Sequence, residues 1–516
     1  MQVPRGLLTH RLFRNAKSIG KRQTVSAPAS NPSPALLASL SERLGEAHVL
    51  TRPEDMAPHL VESRGLYRGL AGAVVRPKDV AEVAFVMAAC HDEGISVVPH
   101  GGNTGLVGGG VPFGGIVLSL ARLNTVREVD ASNATITAEA GCTLKSIQDA
   151  AEEADKLFPL SLGSEGTCQI GGNIATNAGG TGVLRYGNTR DLVLGLEVVL
   201  PDGRIWNGLR GLRKDNTGYD LKHLFIGSEG TLGIVTAAVL KLYPAPKSQV
   251  TAFIACDGPR TALTIFERLR AAAGDQLTAF EFIPRFGLDM VMKHGHDVTR
   301  PLQGDHAAYA LIELTSPQPD ADLQTLTETV LGQAIEDGLV EDAALAASGA
   351  QIAGMWKLRE LMSEVQGKEG GSIKHDVSVP VSRVADFLIE ASAACEAAMD
   401  GVRVCGFGHF GDGNIHFNLS QPVGMDKSAF LGEWERFNRI VHDIVAKMNG
   451  SIAAEHGVGL IKRDELLLYK DPVAVDLMKA VKHALDPRNI LNPGKVVAVT
   501  DDPPPALPTG KAADNN

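Results

Sequence analysis

The sequence predicts an α+β protein of more than one domain, on three observations. Its 516 residues exceed the usual length of a single domain. Strand-like and helix-like hydrophobic periods alternate along most of the chain. Glycine-rich loops crowd the part before Pro244 and thin out after it, so the chain changes style there. With 44% hydrophobic and 21% charged residues the composition is that of a globular protein, and no run of 18 apolar residues marks a membrane span. A net charge of −11 argues against a nucleic-acid partner, which would need clustered Lys and Arg. The six cysteines are scattered through apolar stretches with no CxxC pair, so they read as reduced, buried thiols.

Residues 1–33 carry Arg5, Arg11, Arg14, Lys17, Lys21 and Arg22 and no acidic residue, and read as a basic, disordered extension. A cytoplasmic protein is expected, with the mitochondrial matrix as the alternative if this stretch is a transit peptide. Apolar spacing predicts a helix over 34–50, then a strand over 73–75, a helix over 79–93 and a strand over 95–99. Strands follow at 116–120 and 135–140, with a helix over 144–154 between the second of these and the glycine-rich stretch 161–236. Pro201-Asp202-Gly203 marks a turn between two strands. These elements define a first domain over 34–246. Residues 247–400 alternate strands such as 308–314 with long helices such as 323–335 and form a second. Residues 401–497 add a hairpin, a helix over 427–448, a Gly-rich segment and a helix over 474–484. The Pro-rich stretch 498–516 reads as a disordered tail.

Three glycine loops suggest a large cofactor. In Pro99-His100-Gly101-Gly102-Asn103-Thr104-Gly105, glycines permit positive φ and let backbone N–H groups converge on an anion such as a diphosphate. Gly-Gly-Asn also makes ordinary turns, so this loop alone leaves both readings open. It does not open a helix as a dinucleotide-binding G-x-G-x-x-G does. Residues 163–173 and 227–233 repeat the same small-residue chemistry. The combination resembles the FAD-binding domain of the vanillyl-alcohol oxidase/p-cresol methylhydroxylase superfamily. That resemblance implies a two-subdomain FAD-binding domain over 34–246 and an α+β substrate, or cap, domain over 247–400. The C-terminal FAD-linked oxidase segment, partly helical, would follow over 401–497. It further implies that Gly101, Gly102, Asn103, Thr104, Gly105 and Val107 cradle the FAD pyrophosphate. Pro99, Ser164, Gly166, Thr167, Gly171, Gly172, Asn177, Glu229, Gly230, Ile234 and Asn492 would complete the cofactor site. Some members attach FAD through a histidine where this chain has Asn103, so non-covalent FAD is expected.

A second signal lies at 405–418. Asp412-Gly413 between two strand-like runs is a strong hairpin signal. A two-residue turn there, or a four-residue loop centred on it, sets His409 opposite His416, with Cβ atoms about 4.5–5.5 Å apart on one face. Two imidazoles so placed can share a metal, although an isolated His pair beside a turn is ordinarily structural. Glu455 and His456, in a Gly-bounded bend, add a carboxylate and a third imidazole. This pattern resembles the metal site of the D-2-hydroxyglutarate dehydrogenase family and its D-lactate relatives. The resemblance implies that His409, His416 and Glu455 bind a divalent metal, for which zinc is the first expectation although the donor set also suits manganese, cobalt and iron(II), that Asn418 contacts substrate and that His456 is the catalytic base.

A helix through 354–363 would place Arg359 and Ser363 four apart on one face, and Lys374 follows in a strand. Such charges ordinarily only solubilise. The family resemblance implies instead that Arg359, Ser363 and Lys374 hold a substrate carboxylate, with serine where the family has threonine.

The implied function is FAD-dependent oxidation of D-2-hydroxyglutarate, or a close D-2-hydroxy acid, to the 2-oxo acid by metal-assisted hydride transfer to flavin N5. A separate acceptor, an electron-transfer flavoprotein or quinone, would take the electrons, and a homodimer is expected. The alternatives are a D-lactate dehydrogenase donating to quinone or cytochrome, and a metal-dependent hydrolase whose glycine loops are only structural.

Overall fold

The computed structural model describes residues 31–499, so the expected N-terminal extension and C-terminal tail lie almost wholly outside the described residues. Three main sheets, a two-stranded pairing of Lys156–Leu157 with Tyr243–Pro244, and helices between them form the body, as the predicted α+β class requires.

The first sheet follows α1 (Pro34–Leu44) and comprises β1 (Val49–Leu50), β2 (Ala73–Val75), β3 (Val97–His100) and β4 (Ile116–Ser119), in the order β1-β2-β4-β3. The helix expected over 34–50 ends early because Gly45 takes φ +90°, where the helical ladder cannot continue. Between β2 and β3 runs α2 (Val80–Glu93). The Asp79 side chain caps its first turn by accepting from Glu82 N–H, and Gly94 in the left-handed region stops it.

The second sheet contains β5 (Val126–Asp130), β6 (Thr135–Glu139), β7 (Val193–Val199), β8 (Ile205–Gly208) and β9 (Ile234–Lys241), in the order β5-β6-β9-β7-β8. Helices α3 (Leu144–Glu153), α4 (Ile170–Thr176) and α5 (Lys222–Phe225) accompany it. Gly203, at φ +84°, makes the turn between β7 and β8.

The third sheet has seven strands: β10 (Ser248–Cys256), β11 (Leu277–Pro284), β12 (Ala308–Ser316), β13 (Asp342–Leu345), β14 (Ser372–Ser378), β15 (Arg403–His409) and β16 (Asn414–Ser420). Their order is β13-β10-β12-β11-β15-β16-β14, so strands from both sides of residue 400 share it. Phe266, Phe280, Phe387, Phe417 and Phe437 fill one continuous core beneath it. The helices are α6 (Pro259–Ala273), α7 (Arg285–His294), α8 (Leu323–Glu336), α9 (Gly349–Glu360), α10 (Met362–Val365) and α11 (Val384–Ala398). After the sheet come α12 (Lys427–Leu431), α13 (Trp434–Lys447), α14 (Arg463–Tyr469) and α15 (Pro472–Leu485). The helix expected over 427–448 is thus two helices, parted at Gly432, the C-cap of the first.

Candidate active site

A cleft of about 1100 Å³, its open mouth included, runs between the glycine loops, and His456 is among its lining residues. Its walls come from the end of β3, the start of α4, residues 225–235 and Asn492. Pro99, Gly101, Gly102, Asn103, Thr104, Gly105, Val107, Gly171, Gly172, Glu229, Gly230, Ile234 and Asn492 all line it. Ser164, Gly166, Thr167 and Asn177 are not among its walls. Thr167 instead backs the loop, since a Cβ on Gly102 would lie 2.1 Å from its carbonyl oxygen. Asn177 caps α4 and accepts from Arg190 N–H at 2.9 Å.

The cleft fits a large polar cofactor. Four buried atoms of its wall, His100 Nδ1, Gln169 Oε1, Asn173 Oδ1 and Asn492 Oδ1, have no hydrogen-bond partner among the described residues. Buried polar groups are rarely left so, and a bound group rich in donors and acceptors would satisfy them. His100 sits behind the loop with Nε2 2.5 Å from Gly110 O, and burial pushes its pKa down to about 4.

Beyond the cleft, one face of the third sheet gathers the chemistry. In β14 and β16, Lys374 lies opposite Asn418 and Asp376 opposite His416. Opposed residues share a face, and so do residues two apart, so all four point the same way. The hairpin register differs from the expected one. Phe407, not His409, lies opposite His416, and the loop is residues 410–413. Gly408, at φ +145°, lets β15 leave β16 and pair with β11, where His409 meets Glu281. The two histidines are therefore diagonal neighbours, with ring centroids 5.5 Å apart.

His409, His416 and Glu455 bring one donor atom each within 4.8 Å of one another. His409 turns Nδ1 to Glu281 Oε1 at 2.7 Å, leaving Nε2 3.9 Å from Glu455 Oε1. His416 Nδ1 faces Asp376 Oδ1 at 3.8 Å. A carboxylate thus stands behind each imidazole, the usual support of a metal-binding histidine. Two imidazoles and a carboxylate, drawn to bonds of about 2.0–2.2 Å, suit a divalent ion with positions to spare. Glu455 also accepts from Gly180 N–H, which ties it to the first part of the chain.

Burial opposes protonation of His409, but Glu281 outweighs it and raises its pKa to about 9. Burial likewise opposes ionisation of Glu281, yet His409 and Arg359 hold it at about 2. His416 is pushed far down by burial and by Arg359.

Two carboxylates fasten the 454–459 bend. Glu455 N–H and His456 N–H donate to Asp376 Oδ2 at 2.9 and 2.8 Å, and Asn414 Nδ2 donates to Asp376 Oδ1 at 3.0 Å. From the other side, Val458 N–H and Gly459 N–H donate to Glu229 at 2.7 and 2.9 Å. The His456 ring lies nearly parallel to His416 at 6.1 Å, with Nδ1 3.6 Å from Asp376 Oδ2. Its enclosure lowers its pKa despite Asp376.

The expected clamp is only partly assembled. Helix α9 stops at Glu360, because Glu364 and Val365 N–H both turn to Leu361 O and begin α10. Arg359 is buried while Ser363 is exposed, so they do not share the helix face the sequence suggested. Arg359 Nε donates to Glu281 Oε2 at 2.7 Å, and its guanidinium lies 4.8 Å over the Phe407 ring. Lys374 Nζ donates to the Ser363 carbonyl, not its hydroxyl, at 3.0 Å. Burial, then Arg64, lowers the Lys374 pKa. Asn418 Nδ2 donates to Gln366 Oε1 at 2.8 Å.

Glu281 and Asp376 escaped the sequence reading. The signal for Glu281 was a lone carboxylate in the apolar run Phe280-Glu281-Phe282-Ile283, every residue of which is buried.

Comparison with known proteins agrees with this architecture. Residues 71–208 match the family model of the FAD binding domain, and 245–496 that of the FAD linked oxidases, C-terminal domain. The fold resembles p-cresol methylhydroxylase at a TM-score of 0.71 and 17% identity, covering 91% of this chain and 97% of that one. The class is therefore that of the FAD linked oxidases, with a fold like that of p-cresol methylhydroxylase. The mitochondrial D-2-hydroxyglutarate dehydrogenase of Bos taurus is 41% identical over 88% of this chain and 82% of its own length. That of Xanthomonas citri pv. viticola is 36% identical, over 92% of this chain and 98% of its own length. The chain belongs to the D-2-hydroxyglutarate dehydrogenase family.

Proposed function

We propose that the protein oxidises D-2-hydroxyglutarate, or a D-2-hydroxy acid close to it, to the 2-oxo acid. The observation that carries this reading is that His456 lines the cofactor cleft while its ring lies 6.1 Å from His416 of the His409, His416 and Glu455 cluster. The activity named for relatives 36–41% identical supports it.

Residues 101–105, 107, 171–172 and 229–230 would hold FAD without a covalent bond, and His409, His416 and Glu455 a divalent ion, with zinc the first expectation. When bound, FAD supplies a two-electron acceptor and the ion a Lewis acid toward the substrate hydroxyl. His456, kept neutral by its enclosure and oriented through Nδ1 by Asp376, takes the hydroxyl proton at Nε2. Lys374, which forms no ion pair among the described residues, receives the distal carboxylate as a point charge. Arg359 offers its free Nη atoms as a planar fork for a carboxylate. Asn418 lies opposite Lys374 on the same face of the sheet, within reach of the same substrate group. A separate acceptor, an electron-transfer flavoprotein or a quinone, removes the electrons, and the working unit is a homodimer.

The test is a substrate panel with an artificial dye acceptor, run with and without a chelator. D-2-hydroxyglutarate should be the better substrate, and chelation should abolish turnover while the flavin stays bound. Lys374→Met should raise KM for D-2-hydroxyglutarate about 10- to 100-fold, the size of a charged hydrogen bond, and leave D-lactate unchanged. Equal loss on both substrates would remove Lys374 from the distal-carboxylate role.

A further inference from the structure

Glu281 occupies a costly position. It is 1% exposed, in a strand whose other side chains are apolar except Thr278, and both its oxygens are committed: Oε1 to His409 Nδ1 and Oε2 to Arg359 Nε, each at 2.7 Å. A buried ion cluster of this kind contributes little net stability compared with apolar residues of the same volume, while loss of one member leaves an uncompensated charge. Stability alone therefore does not explain a carboxylate here.

Its two partners reach different parts of the site. His409 turns its remaining nitrogen to Glu455. Arg359 is bonded within the protein only through Nε among the described residues, and Phe407 supports the flat face of its guanidinium. The backbone is arranged to make this junction. Gly408 takes φ +145°, and a Cβ there would lie 2.8 Å from Asn414 O, so β15 can cross from β16 to β11 and set His409 directly opposite Glu281.

We propose that Glu281 is a positioning residue that serves both arms of the site. It fixes His409 with Nδ1 protonated and Nε2 presented to the metal, and it aims the Arg359 fork at a substrate carboxylate. This rests on the metal reading above. Metal affinity and substrate affinity are then linked through one side chain.

Glu281→Gln keeps the shape but cannot accept from both neighbours. When its amide nitrogen faces His409 it donates, and Nδ1 must accept, which moves the ring proton to Nε2 where the metal should bind. The FAD-loaded variant, compared with wild type and His409→Ala, should bind zinc 10- to 100-fold more weakly than wild type in a chelator competition, with its flavin spectrum unchanged. The amide oxygen left to Arg359 is a neutral and therefore weaker acceptor than the carboxylate, so the fork is held less firmly: saturating zinc should restore kcat, whereas KM for D-2-hydroxyglutarate should stay raised. A folded Glu281→Gln protein with wild-type zinc affinity, or with wild-type KM, overturns the linkage. Equal zinc binding by wild type and His409→Ala would instead overturn the metal reading, and the inference with it. Should Glu281→Gln fail to fold, the zinc-loaded wild-type enzyme labelled with ¹⁵N-histidine decides. His409 must then show a protonated Nδ1, and a deprotonated Nδ1 overturns the assignment.

Discussion

His456 is the residue on which the proposed chemistry turns, and it yields two predictions. Replacing it with alanine should cut turnover by about 10²- to 10⁴-fold, the usual worth of a positioned base, while the purified protein stays yellow. Full activity in the variant would dismiss it as the base. The second concerns pH. A base must be unprotonated, and enclosure lowers the His456 pKa below its ordinary value of 6.5. The acid limb of kcat/KM should therefore fall below pH 6.5, and a limb above that value would contradict the assignment. That His409, His416, Glu455 and His456 come together was legible in the sequence, because a hairpin signal, a Gly-bounded bend and the family resemblance all pointed to these residues. Asp376 and Glu281 were not, because a supporting carboxylate has no signature of its own. Glu281 and Arg359 meet across 78 residues of chain, a separation no local pattern spans.

At the scale of elements, hydrophobic periodicity and turn residues located many of the helices and strands. What the sequence hid was competition between partners. Asp412-Gly413 announced a hairpin, but the register followed from β11, which draws the end of β15 away from β16. A third strand distant in sequence leaves no mark on the turn itself. The break between α9 and α10 is similar, a change of hydrogen-bond partner within a continuous helical pattern. The glycine loops were better read, because close approach demands a missing Cβ. Gly102→Ala tests this, since its methyl would press on the Thr167 carbonyl at 2.1 Å. The loop must shift, and the variant should purify with less flavin than wild type. Stoichiometric FAD would show that the loop gives way without consequence.

For the molecule as a whole, the class and the glycine-rich first part were readable. The way the parts meet was not, for it depends on contacts between segments more than 200 residues apart. Glu229 shows this most clearly. It lines the cleft, as the family resemblance implied, yet its carboxylate grips the 457–459 backbone. Glu229→Ala would leave two buried N–H groups without an acceptor, at about 1–3 kcal/mol each. The melting temperature should drop and turnover should fall more than flavin content does. A variant that loses flavin alone would make Glu229 merely a cofactor contact. The bend at 454–459 also bears on biosynthesis. It hangs between Glu229, made early, and Asp376, made late, and it carries His456, the proposed base. Asn492 and His456 also line the cofactor cleft, so the cleft and the proposed base are both complete only once the last portion of the chain has emerged. On the proposed reading a nascent chain still on the ribosome stays chemically silent, and partly made copies of the protein do not oxidise substrate.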